Sequence, residues 1–304
     1  MDKQEGLYTK AHAKLIELLP ALKGETLSRE ELWRLTGIIP TKPEHQPHKK
    51  ALNDVLWNLS EVNKKKLIKK VGNKFKVVDD SLVLLDWKKA DPSNIYPLIL
   101  PFGIHQYCVM YRKNIMIIFG SKDAGKTALM LNIIKLNMNQ FRTLYFNSEM
   151  GEAELNNRIS KFEGMKPEDW NFESYERSHD FEDAIDPDGL NLIDFLELGG
   201  DDAEYYKVPA YIRRIYDGLN LGVAVIALQM NTGSKKYPVR FPKGGEGALE
   251  KARVAIKLDP GKVTLAVAKN WAPGITENPR GKTWAYKLVN GVNIINPQET
   301  FDEF

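Results

Sequence analysis

The chain has 304 residues, an apolar fraction of 43% and a net charge of +3, which allows one large core plus a small domain and excludes disorder over its whole length. No apolar run reaches the roughly eighteen residues of a membrane span, and the start MDKQEGLYTK lacks the basic-then-apolar order of a signal peptide, so no membrane partner and a cytoplasmic location are expected. The single cysteine, Cys108, excludes intrachain disulfides and a cysteine-based zinc cluster, and His105 near it reads as packing or turn chemistry.

In chain order, Leu7, Ala11, Leu15, Leu18 and Leu19 share one helical face that ends near Pro20. Ser28-Arg-Glu-Glu31 is a capping box that opens a second helix running to Gly37. A proline-spaced loop follows. Leu52, Val55, Leu56 and Leu59 then mark a third helix over 48–61, whose other face shows Lys49, Lys50, Asn53 and Asn58. Two lysine-rich strand-like runs, KKLIKKV and KFKVVD, meet at Gly72-Asn73, which is hairpin chemistry. Three helices and a basic hairpin over residues 1–80 resemble a winged helix-turn-helix domain. That resemblance would aim Lys49, Lys50, Asn53 and Asn58 at duplex DNA, and Lys69, Lys70, Lys74 and Lys76 at its backbone. Winged helices also serve as protein-docking modules, and that alternative stays open. Residues 81–97 read as a linker, broken around Asp91-Pro92-Ser93-Asn94.

The stretch NIMIIFGSKDAGKT, residues 114–127, organises the remaining chain, 98–304. A β-branched, aromatic-rich strand runs into Gly120, Ser121, Lys122, Asp123, Ala124, Gly125, Lys126 and Thr127, followed by an apolar helix. In that context G-x-x-x-x-G-K-[ST] is a phosphate loop. Its backbone N–H groups wrap a β-phosphate, Lys126 reaches the β- and γ-phosphates, and the Thr127 hydroxyl binds Mg²⁺. ATP or GTP binding follows. Further on, TLYFN (143–147) is a short buried strand with Glu149 just past its end, placed either to deprotonate an attacking water or to cap the next helix. Residues 148–205 are strongly acidic, whereas the segments on both sides are basic and could face a polyanion.

YFNSEMGEAELNNRI resembles the segment after the second core strand of RecA-fold ATPases of the DnaB helicase type. The resemblance, over about residues 95–296, implies a mostly parallel α/β sheet with antiparallel C-terminal strands and ATP with Mg²⁺ as cofactors. It makes Glu149 the catalytic glutamate. Leu190–Asp194 looks like the family's second nucleotide motif, with Asp194 holding Mg²⁺ through a water and Asn191 as a departure that interrupts the apolar run. Gln229, ending the strand 223–228, takes the place of the γ-phosphate sensor. The loop after it carries Lys235, Lys236, Tyr237, Arg240, Phe241 and Lys243, basic and aromatic side chains interleaved as single-stranded nucleic acid requires. KNWAPG is similar to the family segment whose basic residue reaches a neighbouring subunit's ATP, which points to Lys269 first and Arg280 second. The implied partners are DNA and further copies of the chain in a ring or filament, at work in replication or recombination. A strand-exchange protein, a ring helicase, a helicase loader and a non-motor ATP-switched regulator all fit these motifs.

Overall fold

The computed structural model describes residues 3–64, 66–194, 205–230 and 241–300. Its contacts divide the chain into two compact units, Met1–Ala90 and Asp91–Phe304.

The first unit holds α1 (Lys3–Leu18), β1 (Thr26–Ser28), α2 (Arg29–Leu35), α3 (Gln46–Trp57), β2 (Ile68–Val71) and β3 (Lys74–Val77). The capping box forms: the Ser28 hydroxyl accepts from the Glu31 N–H at 3.2 Å, and the Ser28 N–H donates to the Glu31 carboxylate at 2.6 Å. The third helix passes from α-turns into a π-turn at Asn58–Val62. The strands form a sheet in the order β1-β3-β2. β1 carries no strand signature in the sequence, being three residues of mixed polarity next to the cap. Along β3, Phe75 and Val77 point inward while Lys74 and Lys76 point out, the period-2 pattern of a half-buried strand. Leu15, Leu32, Leu52, Val55, Leu56, Leu59, Ile68 and Phe75 close the core.

The second unit starts with a small ladder, β4 (Ile95–Tyr96) against β5 (Met110–Tyr111), and continues with β6 (Asn114–Gly120), α4 (Lys126–Asn137), β7 (Thr143–Asn147), α5 (Glu152–Ile159), β8 (Glu173–Glu176) and β9 (Leu190–Asp194). α6 (Val208–Gly218), β10 (Val223–Gln229), β11 (Ala252–Asp259), β12 (Lys262–Ala268), β13 (Thr283–Val289) and β14 (Asn293–Thr300) complete it. Nine strands form one sheet in the order β14-β13-β12-β11-β6-β10-β9-β7-β8. From β11 to β8 every pairing is parallel, and from β11 to β14 every pairing is antiparallel. α4 and α5 cover one face, with Ile133, Ile134, Leu155 and Ile159 against Met116, Ile118 and Leu192. On the other face Ile212 and Ile215 of α6 meet Ile117, Phe119 and Ile226. Both faces of the central strands are therefore apolar, as parallel sheets demand.

Two buried asparagines satisfy backbone groups that this packing would otherwise strand. Asn137 donates to the Ile99 carbonyl at 2.8 Å and accepts from its N–H at 2.9 Å, tying the approach segment to α4. Asn191, the polar break in β9, accepts from Asp186 N–H at 2.8 Å and donates to the Asp186 carbonyl at 2.8 Å. It holds the turn from which β9 departs. Cys108 is buried, and burial pushes its thiol up to about 12, while His105 Nδ1 lies 3.1 Å from both the Leu100 N–H and its carbonyl. Among the described residues no helix is long and apolar enough to cross a membrane.

Candidate functional site

The parallel registers decide what meets what. Gln229 pairs with Gly120, and Asn147 pairs with Asp194, so β6, β10, β9 and β7 deliver these four residues to one edge of the sheet, where their strands end. Strand C-terminal ends are where open α/β sheets collect ligand groups.

Gly120 closes β6 with no room for a side chain: a Cβ there would lie 2.5 Å from the Leu258 carbonyl oxygen. The loop then turns through Asp123 (φ 61°) to Gly125 (φ 92°), which is the N-cap of α4. The left-handed conformation at Gly125 leaves the first N–H groups of α4 facing the loop's hollow. The Lys126 ammonium folds back onto this loop, donating to the Ser121 carbonyl at 2.8 Å and to the Gly120 carbonyl at 3.4 Å. Burial holds the pKa of Lys126 below the usual lysine value, and the carboxylates of Asp194, Glu149 and Asp123 oppose that shift. A loop of backbone donors with a half-buried cation surrounded by carboxylates is an anion cradle.

Asp194 is 6% exposed. Burial raises its pKa; hydrogen bonds from Tyr145 and Thr127 and the charges of Lys126 and Arg158 pull it back. The Tyr145 hydroxyl donates to Asp194 Oδ2 at 2.8 Å. Thr127 and Asp194 thus meet as a hydroxyl and a carboxylate beside the lysine, an all-oxygen donor pair that suits Mg²⁺, a hard ion that keeps waters and phosphate oxygens as its other ligands. The residues fit the ion that the sequence implies.

Glu149 is exposed in the turn after β7, and its charge is felt by both Lys126 and Tyr145. That turn is set by Asn147, whose Oδ1 accepts from the Met150 N–H at 2.7 Å. Gln229 is half-buried beside Gly120. Its carbonyl accepts from the Lys243 N–H at 2.8 Å, and Met230 bridges to Pro242, so the loop between them leaves and returns at the end of β10. Lys235, Lys236, Tyr237 and Arg240 lie outside the described residues. Phe241 is 38% exposed, whereas the Lys243 ammonium donates to the Tyr205 hydroxyl at 2.7 Å.

The second group of predicted residues sits elsewhere. β12 runs antiparallel to β11, so its last residue, Ala268, pairs with Val254 beside Met116, near the start of β6. Ala268 is thus roughly 13 Å from Gly120 along the strands at the usual rise per residue, and Lys269 follows it on the side away from Gly120. Its ammonium donates to the Glu250 carbonyl at 2.7 Å, and burial, helped by Arg253, lowers its pKa. Arg280 is exposed in the connection to β13. Neither is brought to the phosphate loop of its own chain.

In the first unit, Lys50 is exposed, while Lys49, Asn53 and Asn58 are half-buried. The Lys49 ammonium stands 4.3 Å from the centre of the Trp33 ring, a cation–π contact that gives it a packing role. The exposed residues of α3 include Lys50, Asp54 and Trp57, the last 62% exposed. Lys69, Lys70, Lys74 and Lys76 are exposed on the hairpin. The sequence reading missed Tyr145 and Asn147 as site residues. Their signal was present, since Thr143, Tyr145 and Asn147 fall on one face of a strand ending at Glu149's turn.

No family model matches the chain, and no curated protein does. Among solved structures it is similar to the ATPase domain of G40P, at 14% identity and a TM-score of 0.45, over 62% of this chain and 86% of that one. It is also similar to the RadB recombinase, at 12% identity and a TM-score of 0.44, over 60% of this chain and 90% of that one. Likenesses of this size concern fold and carry no activity with them.

Proposed function

We propose that the protein is a RecA/DnaB-like P-loop ATPase that binds DNA and hydrolyses ATP between copies of itself in a ring or filament, in replication or recombination. The observation that carries the reading is the meeting of Lys126, Thr127, Asp194 and the Glu149 turn at one sheet edge, beside Gln229. In this reading the loop 120–127 and Lys126 hold the phosphates, and Thr127 and Asp194 hold Mg²⁺, which neutralises charge on them. Glu149 orients and deprotonates the attacking water. Gln229, at the root of the loop carrying Lys235, Lys236, Tyr237, Arg240, Phe241 and Lys243, links the γ-phosphate to bound DNA.

Lys269 lies at the opposite end of the strands from the loop 120–127, which supports the reading that it serves another copy's nucleotide, with Arg280 as the second candidate. Mixing variants tests this. Lys126→Ala and Lys269→Ala should each hydrolyse ATP at no more than a few per cent of the wild-type rate, and a mixture of the two should recover activity at interfaces that join an intact loop to an intact Lys269. Normal hydrolysis by Lys269→Ala alone would remove the shared-site reading and leave the P-loop reading standing.

For the first unit we propose a winged helix-turn-helix over residues 1–80 that meets duplex DNA through Lys50 and the hairpin lysines. A second reading is favoured by one observation: α3 presents Asp54 and a largely bare Trp57 beside Lys50, a mixed surface better suited to protein than to phosphate. Under it the protein is a helicase loader or a non-motor regulator switched by ATP. Lys74→Ala/Lys76→Ala distinguishes them, since it should leave DNA affinity unchanged if the unit docks a protein.

A further inference from the structure

Tyr145 is wholly buried, yet it carries a polar group into the middle of an apolar strand. It sits on β7 opposite Leu192 of β9, two residues before Asp194, and the alternation of both strands puts Tyr145, Leu192 and Asp194 on the α4 face of the sheet. Diagonal neighbours in a sheet are about 7–8 Å apart at Cα, too far for a short side chain and within reach of a tyrosine. The hydroxyl ends 2.8 Å from Asp194 Oδ2. The ring is held edge-on to Phe172 with centroids 6.1 Å apart, so the donor is fixed in place by packing. Thr127, the first residue after Lys126 in α4, bonds the same carboxylate. Asp194 therefore has a donor from the neighbouring strand and one from the phosphate-loop helix.

We propose that Tyr145 is a positioning residue for the metal: by holding one oxygen of Asp194, it aims the carboxylate at the Mg²⁺ that accompanies the nucleotide and sets how much the metal strengthens nucleotide binding. This rests on the P-loop reading above. A group that orients a ligand of a metal shell has a characteristic signature, a loss of about 10-fold to 100-fold in metal affinity when it is removed. Tyr145 spends its hydroxyl on Asp194 and not on the loop 120–127, so the loop should keep its grip on nucleotide in the absence of metal.

The test is the affinity of the full chain for a fluorescent ADP analogue, measured with excess EDTA and again with saturating MgCl₂, the ratio being the metal's contribution. Tyr145→Phe should lower that ratio about 10-fold while leaving the EDTA affinity unchanged. An equal ratio in Tyr145→Phe and wild type overturns the proposal, as does a loss of affinity that is the same with and without metal, which marks a purely structural tyrosine. Should the single variant leave Asp194 too poorly satisfied to fold, Asp194→Asn and Tyr145→Phe/Asp194→Asn decide the matter. A tyrosine acting through Asp194 gives these two the same ratio, whereas a further drop in the double variant shows another route and overturns the proposal. Lys126→Ala is the separate control on the underlying reading. If wild type binds the analogue no better than Lys126→Ala under either condition, it is the nucleotide site that fails rather than the role of Tyr145.

Discussion

The two units put their candidate functional residues in opposite environments. In the second unit Lys126, Asp194, Tyr145 and Asn147 are half-buried or buried, with Glu149 exposed beside them; sheet register sets the Tyr145–Asp194 hydrogen bond, and the turns after β6 and β7 set those of Lys126 and Asn147. In the first, Lys50, Lys69, Lys70, Lys74 and Lys76 stand in solvent, placed only by the alternation of a short hairpin and the turn of one helix. Chemistry needs the first arrangement, because groups must converge within hydrogen-bond distance in a medium that does not screen them. Attraction to a polyanion needs only the second, because screened charges add up one by one. Substitutions should therefore act steeply and cooperatively in one unit and weakly and additively in the other.

The largest effect should come from Gly120→Ala. The added carbon would meet the Leu258 carbonyl at 2.5 Å, and because the obstacle is backbone of the neighbouring strand it cannot swing aside. Overpacking of this kind costs about 3 kcal/mol, and it should appear in calorimetry as a lower melting temperature of the second unit together with loss of nucleotide binding. Asn191→Ala comes next. It strands the Asp186 N–H and leaves the Asp186 and Val223 carbonyls each one donor short, a cost of about 2 kcal/mol. Since Asn191 faces away from the site, nucleotide affinity measured well below the melting temperature should be unchanged. A variant of Asn191 that lost affinity without losing stability would break the separation drawn here.

Much of this was legible in the chain. The strand, glycine turn and helix around residues 114–137 form as the motif predicts, and the helix-capping box at Ser28 forms as written. Less visible were elements whose reason lies in their neighbours. β8 is exposed along its whole length and exists because β7 offers it an edge. α6 carries Val208, Ile212 and Ile215 at helical spacing and packs on the second face of the sheet, yet it stands between stretches where polarity masks the period. On α3, helical spacing identified the buried stripe correctly, but its rim was misjudged: Lys49, Asn53 and Asn58 are half-buried, and Asp54 and Trp57 are exposed instead. Tyr145 reads as core in any hydropathy pattern. Only register, which places it diagonal to Asp194, reveals what its hydroxyl does.

Ser28→Ala gives an intermediate effect that sharpens the comparison from the other side. The hydroxyl caps α2 by accepting from the Glu31 N–H, and loss of such a cap costs about 1 kcal/mol. Calorimetry should show this in the transition of the first unit alone, with ATP hydrolysis in the absence of DNA unchanged. A fall in that basal activity would show that the two units are coupled and that their contrast is one of degree.

The smallest effect on stability, and the most informative about partners, should come from Lys74→Ala/Lys76→Ala. Both side chains point away from the core that Phe75 and Val77 enter, so the change in folding free energy should stay within about 0.5 kcal/mol. If the hairpin lies along a duplex, each lysine neutralises a phosphate, and the slope of log affinity against log salt should fall in magnitude by about two. The loss should be the same in ATP and ADP and with any DNA sequence, because nothing at these positions reads bases or senses nucleotide. Lys49→Ala would be a poorer probe: its ammonium lies over Trp33, so weaker binding could follow from disturbed packing alone. An unchanged salt slope in the hairpin variant, together with loss of a protein partner in Trp57→Ala, would move the first unit from DNA reading to protein docking and leave the ATPase assignment of the second unit untouched.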